Sequence, residues 1–338
     1  MNHRAKIIDC FLEDAGWGQS IKSPVAGDAS NRHYLRLTKA SGECAILMDA
    51  PPDRNASVDP FVKIAQHLRS IGLSAPTVFD QDVKSGLLLL EDLGDRVFAS
   101  TLAKHPQFET EFYEVAIDVL VRLFNTDAPV DLEEMNPKAL AKMTEVTFDW
   151  YVEDENSKCE KADFFPLFDN ILSNILGSTA GLTLRDFHAE NLIWMPGRQG
   201  VARAGLIDFQ DALVGHPAYD LVSLLQDARR DVPPHLERKM VSRFIDLTGQ
   251  DSQDFQAAYC ALGAQRNLRI IGIFARLCIH SGRPDYITLI PRVWTYLIRD
   301  LQHPSLTSAR DLLLNSLTEP TPEYLKNLRR QCIQSPIL

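Results

Sequence analysis

The sequence predicts an α+β fold in two parts, a small β-rich part over residues 1–93 and a larger, mostly helical part over residues 94–338. Short apolar or alternating segments, separated by turn-forming residues, dominate the first hundred positions, as expected for antiparallel strands. From about residue 108 onward, apolar residues recur at the three- and four-residue spacing of helices that pack on a core. A length of 338 residues suits two domains or one large two-lobed domain.

The β-rich part begins with a predicted hairpin, whose second strand ends at Pro51-Pro52. A helix follows, with apolar residues at helical spacing over 61–68 and an end near Gly72. The strand candidates of this part are 33–38, 44–50, 76–80 and 86–91.

One predicted hairpin interrupts the helical part, with strand-like pieces at 192–195 and 204–207. The segment Glu91–Gly94 is the predicted junction between the two parts, and a cleft between two lobes is a favoured place for a small-molecule site. The predicted helices are 108–125, 136–153, 162–176, 217–229, 234–247, 252–282 and 286–302.

Composition excludes several classes of function. The net charge of −10 gives no general attraction to phosphate backbones, so we do not expect nucleic-acid binding. No run approaches the roughly 20 apolar residues that cross a bilayer, and Asp9 interrupts the N-terminus before a signal-like core develops. The six cysteines are scattered, with no Cys-x-x-Cys pair. We therefore expect a reduced, cytoplasmic protein without a membrane or nucleic-acid partner.

The residues that indicate chemistry lie around the inserted hairpin. Asp186 and Asn191 are five positions apart on a predicted loop, and Asp208 ends the strand that follows. Two carboxylates and one amide oxygen can thus converge, which is the donor set that a magnesium–nucleotide site needs. Phosphoryl transfer further requires a carboxylate that receives the proton of the acceptor hydroxyl. An isolated Asp-x-x-x-x-Asn is common in loops, and the Ile207-Asp208-Phe209 segment at this distance favours the functional interpretation.

These segments resemble the catalytic loop and metal-binding signature of the aminoglycoside phosphotransferase family, a branch of the protein-kinase-like fold. The resemblance implies that Asp186 is the catalytic base and that Asn191 and Asp208 hold Mg²⁺. It also implies ATP as the phosphoryl donor and a small-molecule acceptor as the substrate.

The resemblance extends to residues that support the catalytic loop. The segment His216–Leu221 matches the family's next element, in which Asp220 steadies the loop. Arg185 and His188 flank the base, and we assign them, like Asp220, to support of the loop rather than to proton transfer.

The nucleotide-binding residues are predicted in the first part of the chain. Ser30, Asn31 and Arg32 occupy the place where kinases carry a loop over the phosphates, although this segment holds one glycine rather than a glycine-rich run. Glu91 and Leu93 lie in the junction, where backbone groups would face the adenine.

The family's strand lysine is missing, because Met48 occupies the expected position. Two explanations stay open: Arg32, Arg36 or Lys63 supplies the positive charge, or catalysis has been lost. Since the base and the metal ligands are retained, rescue by an arginine is the favoured interpretation.

The positions of several arginines indicate which kind of acceptor the protein binds. Residues 256–284 contain no Asp or Glu, yet Arg266 and Arg269 lie there, near one predicted helical face with Arg276. Arg229 and Arg230 follow the metal motif. We assign Arg229, Arg230, Arg266 and Arg269 to acceptor binding, because a guanidinium matches a carboxylate with two parallel hydrogen bonds. Surface arginines paired with acids elsewhere are the alternative.

The amino-acid sequence of three segments resembles that of bacterial anomeric sugar kinases. These segments are 205–232, 266–277 and 290–294. These enzymes phosphorylate N-acetylmuramate and N-acetylglucosamine at the C1 hydroxyl during cell-wall recycling. The resemblance implies an ATP-dependent amino-sugar kinase. Two other functions stay open: phosphorylation of another acceptor, such as an aminoglycoside, choline or homoserine, and a catalytically silent nucleotide-binding module.

Overall fold

The structure, a computed structural model, describes residues 3–25, 32–152 and 157–334. The chain forms two compact units. The first comprises Met1–Val119 and Glu190–Ala212, and the second comprises Leu120–Ala189 and Leu213–Leu338. The α+β class is confirmed. The functional boundary predicted at residue 93 stays a prediction.

The first unit contains a five-stranded antiparallel sheet with the strand order β1-β2-β3-β5-β4. The four predicted strands are confirmed, whereas the short, exposed β1 was not predicted. Gly86 allows the turn into the last strand, because it has a φ of +67° and a Cβ there would overlap the carbonyl oxygen of Ala50. The bounds are β1 Ile21–Pro24, β2 His33–Thr38, β3 Cys44–Asp49, β4 Val78–Asp82 and β5 Leu87–Glu91.

Two helices accompany this sheet, α1 (His3–Asp14) and α2 (Asp59–Ser70). The first, which was not predicted, buries Phe11 and Leu12 in one core with sheet residues such as Leu47. The second confirms the helix predicted over 61–68 and buries the apolar residues that predicted it.

The rest of the first unit carries the inserted hairpin, which is confirmed as β7 (Leu192–Trp194) paired with β8 (Ala204–Leu206). Trp194 of this hairpin stacks on Phe112 of a helical layer in the same unit, with ring centroids 4.0 Å apart. That layer consists of α3 (Phe98–Lys104) and α4 (Glu109–Phe124), of which only α4 was predicted.

The second unit is helical around α10 (Ser252–Ile279), a 28-residue helix that is buried over most of its length. The predicted helix 136–153 is two helices that meet at Thr144, so this prediction of one continuous helix is wrong. The second of them packs closely on α10, because a Cβ at Gly272 would overlap the backbone of Thr147. The predicted helix 286–302 begins as a 3₁₀ turn over Pro284–Leu289 and becomes α-helical only from Ile290.

The remaining bounds of the second unit are α5 Pro137–Met143, α6 Glu145–Trp150, α7 Ser157–Leu176, β6 Gly181–Thr183, β9 Leu213–Gly215, α8 Ala218–Leu225, α9 Pro234–Thr248, α11 Ile290–Asp300, α12 Thr307–Ser316 and α13 Pro322–Gln334. Strands β6 and β9 pair antiparallel. Helices α12 and α13 were not predicted. In the part of the chain that the structure describes, no helix is both long and apolar enough to span a bilayer.

Candidate active site

Strand pairing brings the two predicted metal ligands together in the first unit. Asn191 directly precedes β7 and Asp208 follows β8, and these strands pair with Leu192 opposite Leu206. The Asn191 side-chain amide donates to Asp208 Oδ2 over 3.5 Å. Asp208 has a left-handed φ of +59°, a backbone conformation that is uncommon outside glycine and concentrates at functional sites.

The donor chemistry of this pair fits Mg²⁺. An amide oxygen and a carboxylate are hard ligands, and Mg²⁺ is commonly held by one or two carboxylates together with substrate phosphates. Among the described residues, no group of three or more His, Cys, Asp or Glu side chains could hold a metal. A cation at Asn191 and Asp208 would therefore complete its coordination with substrate oxygens and water.

Residues 184–189 of the predicted catalytic loop belong to the second unit, where Asp220 contacts their backbone. Asp220 Oδ2 accepts a hydrogen bond from the amide of Leu184 over 2.6 Å, and Oδ1 accepts one from the amide of Arg185 over 2.8 Å. These bonds fix the two residues before Asp186, and they favour the predicted role of Asp220 as a support. Arg185 has a left-handed φ of +71°, so the chain turns sharply just before the predicted base.

Burial controls the protonation of the groups behind this loop. Complete burial raises the pKa of Asp220 to about 7, although the two amide bonds oppose this shift and the charge of Asp186 adds to it. Burial also lowers the pKa of His188, with Asp227 opposing the shift and Arg229 and Arg266 adding to it. The imidazole of His188 is therefore neutral at pH 7.

His216 is a residue that sequence reasoning did not assign. Its Nδ1 accepts a hydrogen bond from the amide of Ala218 over 3.2 Å, at the beginning of α8. Burial lowers the pKa of His216 to about 4, which keeps this nitrogen available as an acceptor. The available signal was a side chain with an acceptor atom two positions before a helix start.

Glu91 and Leu93 differ in what they offer a nucleotide. The Glu91 carboxylate accepts from the Thr77 hydroxyl over 2.8 Å and forms an ion pair with Arg198, so its side chain is already bound within the protein. Among the described residues, the amide of Leu93 has no acceptor. Ser30 and Asn31 lie outside the described residues, and Arg32 is half-buried just before β2.

Met48, at the strand position where the family carries a lysine, has apolar surroundings. Met48 is completely buried, with Leu88 of β5 opposite it in the sheet. Arg36, one candidate replacement, donates to both Asp92 and Asp95, over 2.6 and 2.7 Å, and these carboxylates raise its pKa. A guanidinium held by two carboxylates is a poor phosphate ligand, which counts against Arg36. Lys63 is exposed on α2.

The four arginines predicted to bind the acceptor lie in the second unit in different surroundings. Arg266 is buried and donates to the Ser223 hydroxyl over 2.8 Å. Arg269 is half-buried, with Nη1 3.4 Å from the Tyr219 hydroxyl. Arg229 and Arg230 are half-buried beyond α8. Arg276, predicted near the same helical face as Arg266 and Arg269, is exposed.

Comparison with known proteins agrees with this geometry. The model of the phosphotransferase enzyme family matches residues 23–252. A relative from Caulobacter vibrioides named N-acetylmuramate/N-acetylglucosamine kinase is 34% identical over 339 residues, which cover 89% of this chain and 93% of the relative. Further relatives with the same name are 28 to 31% identical.

Solved structures show the same fold at low sequence identity. A choline/ethanolamine kinase family protein from Mesorhizobium loti is similar with a TM-score of 0.61 and 10% identity, over 97% of this chain and 99% of that protein. The aminoglycoside phosphotransferase APH(3'')-Id from Streptomyces rimosus, in complex with ADP and streptomycin, has a TM-score of 0.54 and 17% identity, over 78% and 98% of the two chains. The chain belongs to the phosphotransferase enzyme family and is a kinase of the protein-kinase-like fold.

Proposed function

We propose that the protein is an ATP- and magnesium-dependent kinase that phosphorylates the C1 hydroxyl of N-acetylmuramate and N-acetylglucosamine, a reaction of cell-wall recycling. The observation that carries the proposal is a match over 89% of the chain to a relative named for these two sugars. This protein also has Asp186, Asn191 and Asp208 at the spacing of the family's motif.

In this proposal Asp186 receives the proton of the acceptor hydroxyl as the oxygen attacks the γ-phosphate. Asp220 keeps the loop in place through its bonds to the amides of Leu184 and Arg185. Asn191 and Asp208 would hold Mg²⁺, which when bound neutralises charge on the phosphate oxygens.

The nucleotide is assigned to the first unit. The amide of Leu93 and the backbone of Glu91 would contact the adenine, while Ser30, Asn31 and Arg32 would contact the phosphates. Since Arg36 is held by Asp92 and Asp95, Arg32 and Lys63 are the remaining candidates for the charge that the family's lysine supplies.

The acceptor is assigned to the second unit, which also holds Asp186. A carboxylate-bearing acceptor matches guanidinium donors. We assign it to four arginines of this unit: Arg229, Arg230, Arg266 and Arg269.

The test follows ADP release with N-acetylmuramate, N-acetylglucosamine, kanamycin and choline as acceptors. We expect turnover of the two acetylated sugars. Asp186→Asn should lower this turnover by ~10²-fold or more while ATP affinity changes only a few-fold, because the variant loses the proton acceptor but no contact assigned to the nucleotide. Asp246→Asn, on the exposed face of α9, is the matched control. Turnover of kanamycin or choline without either sugar would refute the sugar assignment.

A catalytically silent nucleotide-binding module is the second candidate, and the buried Met48 in place of a lysine favours it. Magnesium-dependent ATP binding that Asp208→Ala abolishes, without turnover of any acceptor, would support the module over the kinase.

A further inference from the structure

Arg266 is a buried cation without a carboxylate partner. Its side chain lies on α10 and the residue is 6% exposed. Its hydrogen bond goes to the neutral hydroxyl of Ser223 on α8, over 2.8 Å. In the described part of the chain, no carboxylate oxygen lies within 4.0 Å of its guanidinium. Burying a charge without a close partner is costly, so this arrangement calls for an explanation.

Other arginines of the molecule meet acids directly. Arg299 donates to both oxygens of Glu237, at 2.7 Å each, and Arg292 donates to both oxygens of Asp231, at 2.6 and 3.0 Å. Arg266 differs from them in what its remaining donors contact. Its Nε and Nη1 have no hydrogen-bond partner among the described residues, and neither atom is completely enclosed. These two nitrogens are therefore the donors of Arg266 that remain for an acceptor from outside the protein.

The residues on either side hold Arg266 in place. Gln265 donates to the carbonyl of Leu140 on α5 over 2.8 Å, and Asn267 donates to Gln226 Oε1 over 2.6 Å. Both side chains are completely buried. The backbone of α10 is thus fixed at this point, and Ser223 fixes one end of the guanidinium. A pre-positioned donor loses little conformational entropy when it binds a ligand.

Arg266 also lies within electrostatic reach of the catalytic loop. Its positive charge lowers the pKa of His188 and opposes the rise in the pKa of Asp220, and the charge of Asp186 acts on both groups in the opposite direction. Asp220 in turn binds the two amides that precede Asp186. An anion held by Arg266 would therefore lie in the part of the second unit that positions the proposed base.

We propose that Arg266 binds the carboxylate of the acceptor and thereby gives the enzyme its preference for an acidic sugar over a neutral one. This inference rests on the proposed function, and it assigns to one residue a specificity that the sequence left spread over four arginines. N-acetylmuramate carries a lactyl carboxylate that N-acetylglucosamine lacks. The γ-phosphate of ATP is the other anion that a guanidinium could bind, and it is common to both reactions.

The experiment compares kcat and KM for the two sugars in the full-length wild type and Arg266→Gln. We expect KM for N-acetylmuramate to rise about tenfold or more, as for the loss of a hydrogen bond between charged groups, while KM for N-acetylglucosamine changes less than about threefold. Arg266→Lys keeps the charge without the planar fork, so its KM for N-acetylmuramate should be intermediate. Arg276→Gln, at an exposed position of the same helix, should match the wild type.

Unchanged kinetics with N-acetylglucosamine also show that Arg266→Gln is folded. Equal losses with both sugars would overturn the inference, since they would indicate phosphate binding or damage to the fold. Unchanged kinetics with both sugars would overturn it as well. In either case, wild-type turnover of the sugars would leave the proposed function standing. Absence of wild-type turnover with either sugar would refute the proposed function and the inference together.

Discussion

Two buried polar clusters of the second unit use the same residue types in opposite ways. In the cluster around Glu237, Arg299 and the Tyr259 hydroxyl both donate to the carboxylate, with each bond between 2.7 and 2.8 Å. In the cluster around His188, Arg266 meets only a neutral hydroxyl, and His188 Nδ1 has no partner among the described residues. Removing one partner of a matched pair destabilises a fold because it leaves the other charge without compensation, whereas an unmatched charge near the predicted base is available to a ligand.

Between the two clusters, the larger effect is expected on the side of His188, at Asp220, whose carboxylate accepts hydrogen bonds from two amides of the predicted catalytic loop. Asp220→Asn should lower turnover by about 10²-fold, because one carboxylate oxygen that accepts a backbone amide is replaced by an NH₂ group that cannot. Steady-state kinetics and ATP binding measure the effect. Retention of more than about a third of wild-type turnover would contradict the assigned support of the loop.

The Glu237 cluster should respond in stability rather than in activity. Glu237→Gln leaves Arg299 without its carboxylate, and we expect a loss of about 1–3 kcal/mol, at the low end for a buried pair because Arg299 is 41% exposed. Thermal unfolding measures this loss, with Glu319→Gln at an exposed position as the control. The kcat of the variant should stay within about twofold of the wild type. A fall in kcat without a fall in stability would break the distinction between the clusters.

Asp300 belongs to the Glu237 cluster, because its buried carboxyl group lies 3.6 Å from Arg299, and it makes the stability of this cluster depend on pH. Burial raises the pKa of Asp300 to about 8, so the folded state keeps the proton that the unfolded chain releases above its ordinary value of 3.8. Its contribution to stability is therefore complete below pH 4 and is lost as the pH rises to 8. Asp300→Asn, which cannot ionise, should unfold a few degrees above the wild type at pH 8.5, and this difference should shrink towards pH 5. A difference that does not depend on pH would contradict a neutral Asp300.

His216 should produce the smallest effect on stability. Its contribution is lost as the pH falls, whereas that of Asp300 is lost as the pH rises. Because burial lowers its pKa from 6.5 to about 4, its contribution to stability is present above pH 6.5 and is lost as the pH falls to 4. Asn can supply the same acceptor to the amide of Ala218 without taking up a proton. His216→Asn should therefore lose less stability than the wild type between pH 7.5 and pH 5. Parallel losses in thermal unfolding would exclude His216 as the source.

Local pattern predicted the sheet, the hairpin and most long helices, because apolar periodicity reports which residues face a core. It failed where packing overrode periodicity. One continuous apolar pattern over 136–153 concealed the break at Thr144, where the second helix packs against Gly272 of α10. The first helix was missed because its apolar pattern is weak: among its twelve residues only Phe11 and Leu12 are buried. His216 was missed because its burial, and with it the bond from the amide of Ala218, depends on packing that a local pattern does not report.

The sequence by itself determined the family, the α+β class and the motif from Asp186 to Asp208, because these depend on residue types at short and regular spacing. The tertiary structure decided which charged groups are already paired. Arg36 meets Asp92 across 56 positions, and Arg266 meets Ser223 across 43. A local pattern carries no information about such contacts, because the packing of distant segments brings the partners together. For this reason arginines that looked equivalent in the sequence separate only in the folded chain into those paired with carboxylates, such as Arg36, and those that meet only a neutral group, such as Arg266.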